Sequence, residues 1–262
     1  MRFTDQIGNT IELATVPQRI VSLVPSQTEY LFELGLSERI AGITRFCIHP
    51  APLVQQVPKI GGTKNFDIDK IKSLQPDLIV ANKEENYEAG IRELQLNFPV
   101  WTSDIYTLQD NYHMMQQLAL ITNATAKGEA IIDEIKKSVE ELEKINTCER
   151  SAVAYFVWRK PYMVVAANTF INHMLNVMGL QNVYEHQVRY PETDAAQLQQ
   201  LNPDYIFLSS EPYAFGDKHI QEFKEMVPAA KVLVVDGEMF SWYGSRLRYA
   251  VDYFISLRQQ ML

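Results

Sequence analysis

A repeat constrains this chain more than any other feature. Leu74-Gln75-Pro76-Asp77-Leu78-Ile79-Val80 in the first half corresponds to Leu201-Asn202-Pro203-Asp204-Tyr205-Ile206-Phe207 in the second. Each reads as a helix end, a Pro-Asp turn and a buried strand. Proline cannot continue the helix, and the short apolar run after Asp suits a strand covered on both faces. Two further correspondences keep the same order. Downstream, FPVWTSD (98–104) parallels KVLVVDG (231–237), each an apolar strand running up to an Asp. Upstream, a strand at residues 20–24 leads to a helix closing at Gly35-Leu36. Its counterpart is a strand at residues 152–157 and a helix closing at Gly179-Leu180. Glycine is the expected residue just past a helix end, where the backbone turns left-handed. Three matches in one order imply two similar halves.

Within each half, strands and helices alternate. The first half predicts strands at 20–24, 39–43, 78–81 and 100–102, with helices from about residue 26, near 67–74 and near 87–95. Short apolar runs between amphipathic helices specify an α/β class with parallel sheets covered on both faces. Between the halves, residues 108–121 place Leu108, Tyr112, Met115 and Leu118 on one face. Residues 124–145 then carry a stripe of Ile131, Ile135, Val139, Leu142 and Ile145. Asn123 stands where a helix-starting cap belongs. A helix of about 22 residues is about 33 Å long and stiff, unlike a Gly/Ser linker. The expected organisation is a first α/β lobe over 1–106, linking helices over 107–147 and a second α/β lobe over 148–262. The last of these ends in an amphipathic helix from about residue 245. A ligand cleft is expected between the lobes.

Composition narrows the function classes. The 262 residues carry a formal net charge of −8 and no Lys/Arg-rich run, so no nucleic-acid partner is expected. Cys47 and Cys148 are the only cysteines and are not spaced as a zinc or dithiol pair. Both are expected as reduced thiols in or near the core. The opening MRFTDQIGNT lacks the apolar stretch of a secretory signal, so the chain is expected in the periplasm or cell envelope if exported and in the cytoplasm otherwise. Sequence patterns for nucleophile elbows, zinc-helix histidines, phosphate loops and dinucleotide loops are absent, and none of the five histidines pairs at i,i+4. Non-enzymatic binding is therefore expected ahead of catalysis.

Open α/β sheets bind ligands beyond the carboxyl ends of their strands. That rule selects Arg45, Phe46 and His49 after the second strand, and Lys83 and Tyr87 after the third. In the second half it selects Trp158, Arg159 and Tyr162 after the first strand, and Trp242 and Tyr243 after the last. Flat aromatic walls with a few cations suit a large planar ligand with amide or anionic edges. Each residue also has a packing reading. Phe46 and Tyr87 could be core residues, Arg45 and Arg159 partners of surface acids, and His49 a loop residue before Pro50.

RIVSLVPSQTEYLFELGL (19–36), GITRFCIHP (42–50), GGTKNFDIDKIKSLQPDLIVANKEEN (61–86), VWRKPYMVVAANTFINHML (157–175) and SSEPY (209–213) carry a resemblance that covers nearly the whole chain. It resembles the helical-backbone substrate-binding proteins of ABC importers, closest to their cobalamin-binding branch. The wider group also binds ferric siderophores and haem. The resemblance implies a monomer with no intrinsic cofactor and no metal site of its own, whose corrinoid or related chelate brings cobalt or iron with it. It also implies docking on an ABC permease through one acidic residue per lobe. Asp69 fills that place in the first lobe. The equivalent in the second is Ala196, with Glu192 and Asp194 nearby.

Overall fold

The computed structural model describes residues 1–145 and 151–261. The first half contains β1 (Arg2–Thr4), β2 (Thr10–Glu12), β3 (Ile20–Ser22), α1 (Pro25–Glu33), β4 (Ile40–Ile43), α2 (Ala51–Val54), α3 (Ile68–Ser73), β5 (Leu78–Asn82), α4 (Glu88–Gln95) and β6 (Val100–Ser103). Helices α5 (Leu108–Ile121) and α6 (Thr125–Ile145) follow. Then come β7 (Ser151–Trp158), β8 (Tyr162–Val164), α7 (Phe170–Val177), β9 (Leu180–Asn182), β10 (Glu192–Thr193), α8 (Ala195–Leu201), β11 (Tyr205–Ser209), α9 (Asp217–Met226), β12 (Lys231–Val235), α10 (Gly237–Ser241) and α11 (Leu247–Met261). The class is α/β with parallel sheets, as the alternation requires. Cys148 lies outside the described residues. Cys47 is buried and free, and burial pushes its thiol pKa up.

The chain divides into two compact units. The first holds Met1–Ile105, Gln109–Glu134 and Tyr243–Arg246. The second holds Tyr106–Leu108, Ile135–Trp242 and the stretch from Leu247. The division falls inside α6, whereas the sequence suggested a separate linking segment over 107–147. Tyr243–Arg246, expected in the C-terminal half, belongs to the first unit. An unbroken helix carries no local signal of such a boundary, because unit membership is decided by what its side chains touch.

The first unit contains a four-stranded parallel sheet in the order β4-β3-β5-β6. The second repeats that order, with β9 and β11 both parallel to β7 and β12 parallel to β11. It also has an addition that the repeat did not reveal. Strand β7 is eight residues long and pairs β11 along one edge. Its other edge is shared, with β9 pairing Ser151–Val153 and antiparallel β8 pairing Phe156 and Trp158. Strand β10 extends β8.

The Pro-Asp repeat does the same physical task in both units. The Asp77 carboxylate accepts from Gln18 N at 2.7 Å and Arg19 N at 2.8 Å, and Asp77 N donates to Arg19 O at 3.0 Å. The Asp204 carboxylate accepts from Ala152 N at 2.8 Å, and Asp204 N donates to Ala152 O at 2.9 Å. Each Asp thus fastens the start of the third strand of its sheet to the start of the first. Two residues on, Ile79 and Ile206 are fully buried, each worth about 1.5–3 kcal/mol of burial. They sit in equivalent cores, Ile79 with Leu23, Ile71 and Ile91, and Ile206 with Phe156, Leu198 and Phe223.

The helix ends follow the sequence with one correction. Gly35 and Gly179 take φ of +84° and +80° just past α1 and α7, as expected of glycine there. Asn123 does not open α6. It has a φ of 58° and closes α5, with Asn123 N donating to Leu120 O at 3.2 Å and Ala124 N to Ala119 O at 2.7 Å. That pair of hydrogen bonds is the left-handed helix stop, for which asparagine substitutes for glycine.

Candidate functional site

In sheets of this order, the ligand position is the carboxyl end where the first and third strands lie side by side. In the first unit that point carries a buried polar network. The Asn82 side chain accepts from Glu84 N at 2.8 Å and Glu85 N at 3.0 Å and donates to Ser103 Oγ at 2.9 Å. Asn86 accepts from Asn82 N at 2.8 Å and donates to Leu23 O and Thr63 O at 3.2 and 3.0 Å. These bonds fix the loop bearing Lys83 and Tyr87. Gln27 donates to Ser103 Oγ at 2.5 Å and to Tyr243 Oη at 3.3 Å.

Each residue selected from the sequence has a defined place. In the first unit, Arg45 is exposed and lies 5.1 Å from the Phe46 ring centre, and Phe46 is itself 49 % exposed. His49 is partly exposed. Lys83 makes a 2.6 Å ion pair with Asp104. Tyr87 stacks on Phe66 with ring centres 4.6 Å apart, so one face of its ring serves packing. Tyr243 departs from expectation. It is 5 % exposed, packed within the first unit, and burial pushes its pKa far up. Its ring offers no open face. The run Trp242-Tyr243-Gly244 gave no sign of which aromatic turns inward.

In the second unit, Trp158 ends β7 at 40 % exposure, edge-on to Tyr213 at 5.7 Å. Arg159 Nε lies 3.2 and 3.0 Å from the two Glu222 carboxylate oxygens, and the Tyr162 hydroxyl donates to the same carboxylate. Burial alone would raise the Glu222 pKa. The hydrogen bonds from Tyr162 and Arg159, with the guanidinium charge, hold it below the usual carboxylate range instead. Trp242 is half-buried and donates Nε1 to Glu211 at 3.1 Å, and Ser241 donates to the same oxygen at 2.9 Å. Burial pushes Glu211 up, opposed by the Ser241 bond, while Glu238 and Asp236 add to the rise.

The structure therefore changes the electrostatic expectation. Of the three cations expected to meet anionic edges, Lys83 and Arg159 are ion-paired within their own units. Glu222, which organises Arg159 and Tyr162, was missed, whereas Glu211, which holds Trp242, follows the third strand where the carboxyl-end rule also points. Glu222 is 63 residues from Arg159, and no local pattern joins them. Among the described residues, no group of three or more His, Cys, Asp or Glu is placed to hold a metal ion.

The first turns of α3 and α8 match as well. Asp67 caps α3 through Lys70 N at 2.9 Å and Asp194 caps α8 through Gln197 N at 2.8 Å. Asp69 and Ala196 consequently occupy the same helical position, both exposed. The Asp194 carboxylate is occupied by its cap.

Two α/β units of one topology, each presenting aromatic and polar side chains at its carboxyl ends, define a two-unit ligand-binding protein. The periplasmic binding protein family model matches residues 20–231, and the chain belongs to that family. It is 25% identical over 228 residues to a vitamin B12-binding protein of Vibrio parahaemolyticus, covering 85% of this chain and 82% of that one. It is 25% identical over 265 residues to an uncharacterized ABC transporter substrate-binding lipoprotein of Bacillus subtilis, covering 95% and 82%. The crystal structure of the periplasmic vitamin B12-binding protein of Vibrio cholerae superposes with a TM-score of 0.82 at 21% identity, covering 94% of this chain and 98% of that one.

Proposed function

We propose that this protein is the substrate-binding component of an ABC importer in the cell envelope and that its ligand is a corrinoid. The observation that carries the reading is the exposed aromatic surface at the carboxyl ends of the strands, Phe46 in the first unit and Trp158 in the second. A corrin ring is a broad, nearly flat macrocycle edged with amides. Flat aromatic faces contact its body, and polar side chains and backbone meet its edges. The sequence relatives named for vitamin B12 and for ABC transport support the same reading. Cobalt would arrive with the ligand, so no resident metal is required. Docking on the permease would use Asp69 on the first unit. Ala196 offers no charge at the matching place, so steering toward a basic permease surface would be weaker than with two acids.

The test is a calorimetric titration with cyanocobalamin and cobinamide, with haem and a ferric hydroxamate as controls. Submicromolar binding of the corrinoids alone is expected. Tight binding of an iron chelate in their place would move the ligand class, and no binding of any would overturn the reading. Trp158→Ala should cost about 1–3 kcal/mol of corrinoid affinity. An unchanged dissociation constant would remove Trp158 from the site.

A further inference from the structure

Resting on that reading, we propose that Glu222 sets the charge class of the ligand, making the second unit's face accept amide-edged chelates and reject carboxylate-edged ones. Two groups just past β7 bond this carboxylate. Arg159 Nε reaches both of its oxygens, at 3.0 and 3.2 Å, and the Tyr162 hydroxyl donates to it. Arg159 also bonds the Tyr213 hydroxyl, and the Tyr213 ring stands edge-on to Trp158 at 5.7 Å. The Tyr213 hydroxyl in turn meets His219 Nε2 at 3.2 Å.

The charge balance follows from these contacts. An arginine beside an aromatic face is ordinarily an anion receptor, since its planar fork matches a carboxylate. Here the fork's Nε already serves a carboxylate of the protein, and the pair sums to zero. The other acids at this end of the sheet, Glu211, Asp236 and Glu238, lie close enough for the latter two to raise the Glu211 pKa. Lys160, next in the chain, is exposed, where screening weakens it. A carboxylate-edged ligand would therefore compete with Glu222 for the Arg159 guanidinium, whereas amide edges can bond the carboxylate and hydroxyls already in place. Glu222 acts through Arg159 and Tyr162 and is a positioning residue.

The test uses two macrocycles of the same shape. Dicyanocobinamide has amide edges, and dicyanocobyrinic acid carries carboxylates in their place. Both are titrated against the wild type, Glu222→Gln, Arg159→Gln and the double variant. The readout is the ratio of the two dissociation constants, which a merely structural loss would leave unmoved because it weakens both ligands alike. The wild type should favour the amide form. Glu222→Gln frees the guanidinium and should narrow the preference about tenfold. Arg159→Gln leaves the carboxylate uncompensated and should widen it, and the double variant should return toward the wild-type ratio. Should Glu222→Gln fold poorly, Arg159→Gln and the double variant carry the test. Shifts in the same direction for both single variants, or ratios unmoved within about twofold, would overturn the inference while leaving corrinoid binding intact. Failure of the wild type to bind either macrocycle would overturn the proposed function, and this inference with it.

Discussion

The two units are alike at the amino ends of their strands and different at the carboxyl ends. At the amino ends, Asp77 and Asp204 fasten third strand to first by the same pair of backbone bonds. At the carboxyl ends, the first unit uses side-chain amides, with Asn82, Asn86 and Gln27 holding its loops. The second uses carboxylates, with Glu222 and Glu211 holding an arginine, a tyrosine and a tryptophan. Equivalent scaffolds thus carry chemically different faces. The strand order dictates where a ligand can be met, and the loops decide what meets it.

The sharpest contrast is between two ion pairs. In the first unit, Arg246 forks onto Glu29 at 2.7 and 2.8 Å with side chains 8% and 6% exposed. In the second, Arg159 and Glu222 are 27% and 23% exposed. Removing one partner of a buried pair strands a charge, whereas water can solvate what is left of a more open one. Arg246→Met should therefore cost about 3–5 kcal/mol of unfolding free energy, and Arg159→Met far less. Denaturant melts would show it, and equal losses would erase the contrast.

Next in size is the Asp pair that makes the units alike. Among the described residues, Asp77 accepts two backbone N–H groups and Asp204 accepts one. Asp77→Ala should cost about 2 kcal/mol and Asp204→Ala about 1 kcal/mol, measured the same way. If either substitution proved neutral, the repeat would not be holding the sheets in register.

The smallest expected effects are in pH dependence, and the two carboxylates of the second unit should act with opposite signs. Glu222 has a folded pKa below its ordinary 4.5, so it contributes stability that is complete above that value and lost as pH falls through the folded one. Glu211 has a folded pKa above 4.5, so its ionised form disfavours the fold and protonation relieves that penalty. Thermal midpoints followed between about pH 3 and 7 should show Glu222→Gln flattening the acid-side loss. Glu211→Gln should instead raise the midpoint most at the neutral end.

The sequence made the scaffold legible because its signals are local. The Pro-Asp turns, the glycines at +84° and +80° and the buried stripe of Leu108, Tyr112, Met115 and Leu118 each follow from neighbours within a few residues. The candidate faces were half legible. The carboxyl-end rule located Phe46 and Trp158 on the surface, but it could not tell that Tyr243 turns inward or that Lys83 and Arg159 spend their charge on Asp104 and Glu222. Those outcomes depend on partners tens of residues away. The β1–β2 hairpin at the amino terminus was also overlooked. Its alternation is only three residues per strand, and the turn depends on Gly8 at a φ of 89°.

Hydrogen exchange with and without cyanocobalamin would test the carboxyl-end claim most directly. Added protection is expected at residues 45–49, 83–87, 158–163 and 210–213, with the Pro-Asp turns at 74–77 and 201–204 unchanged. Protection concentrated at those turns, or none anywhere at saturating ligand, would contradict it.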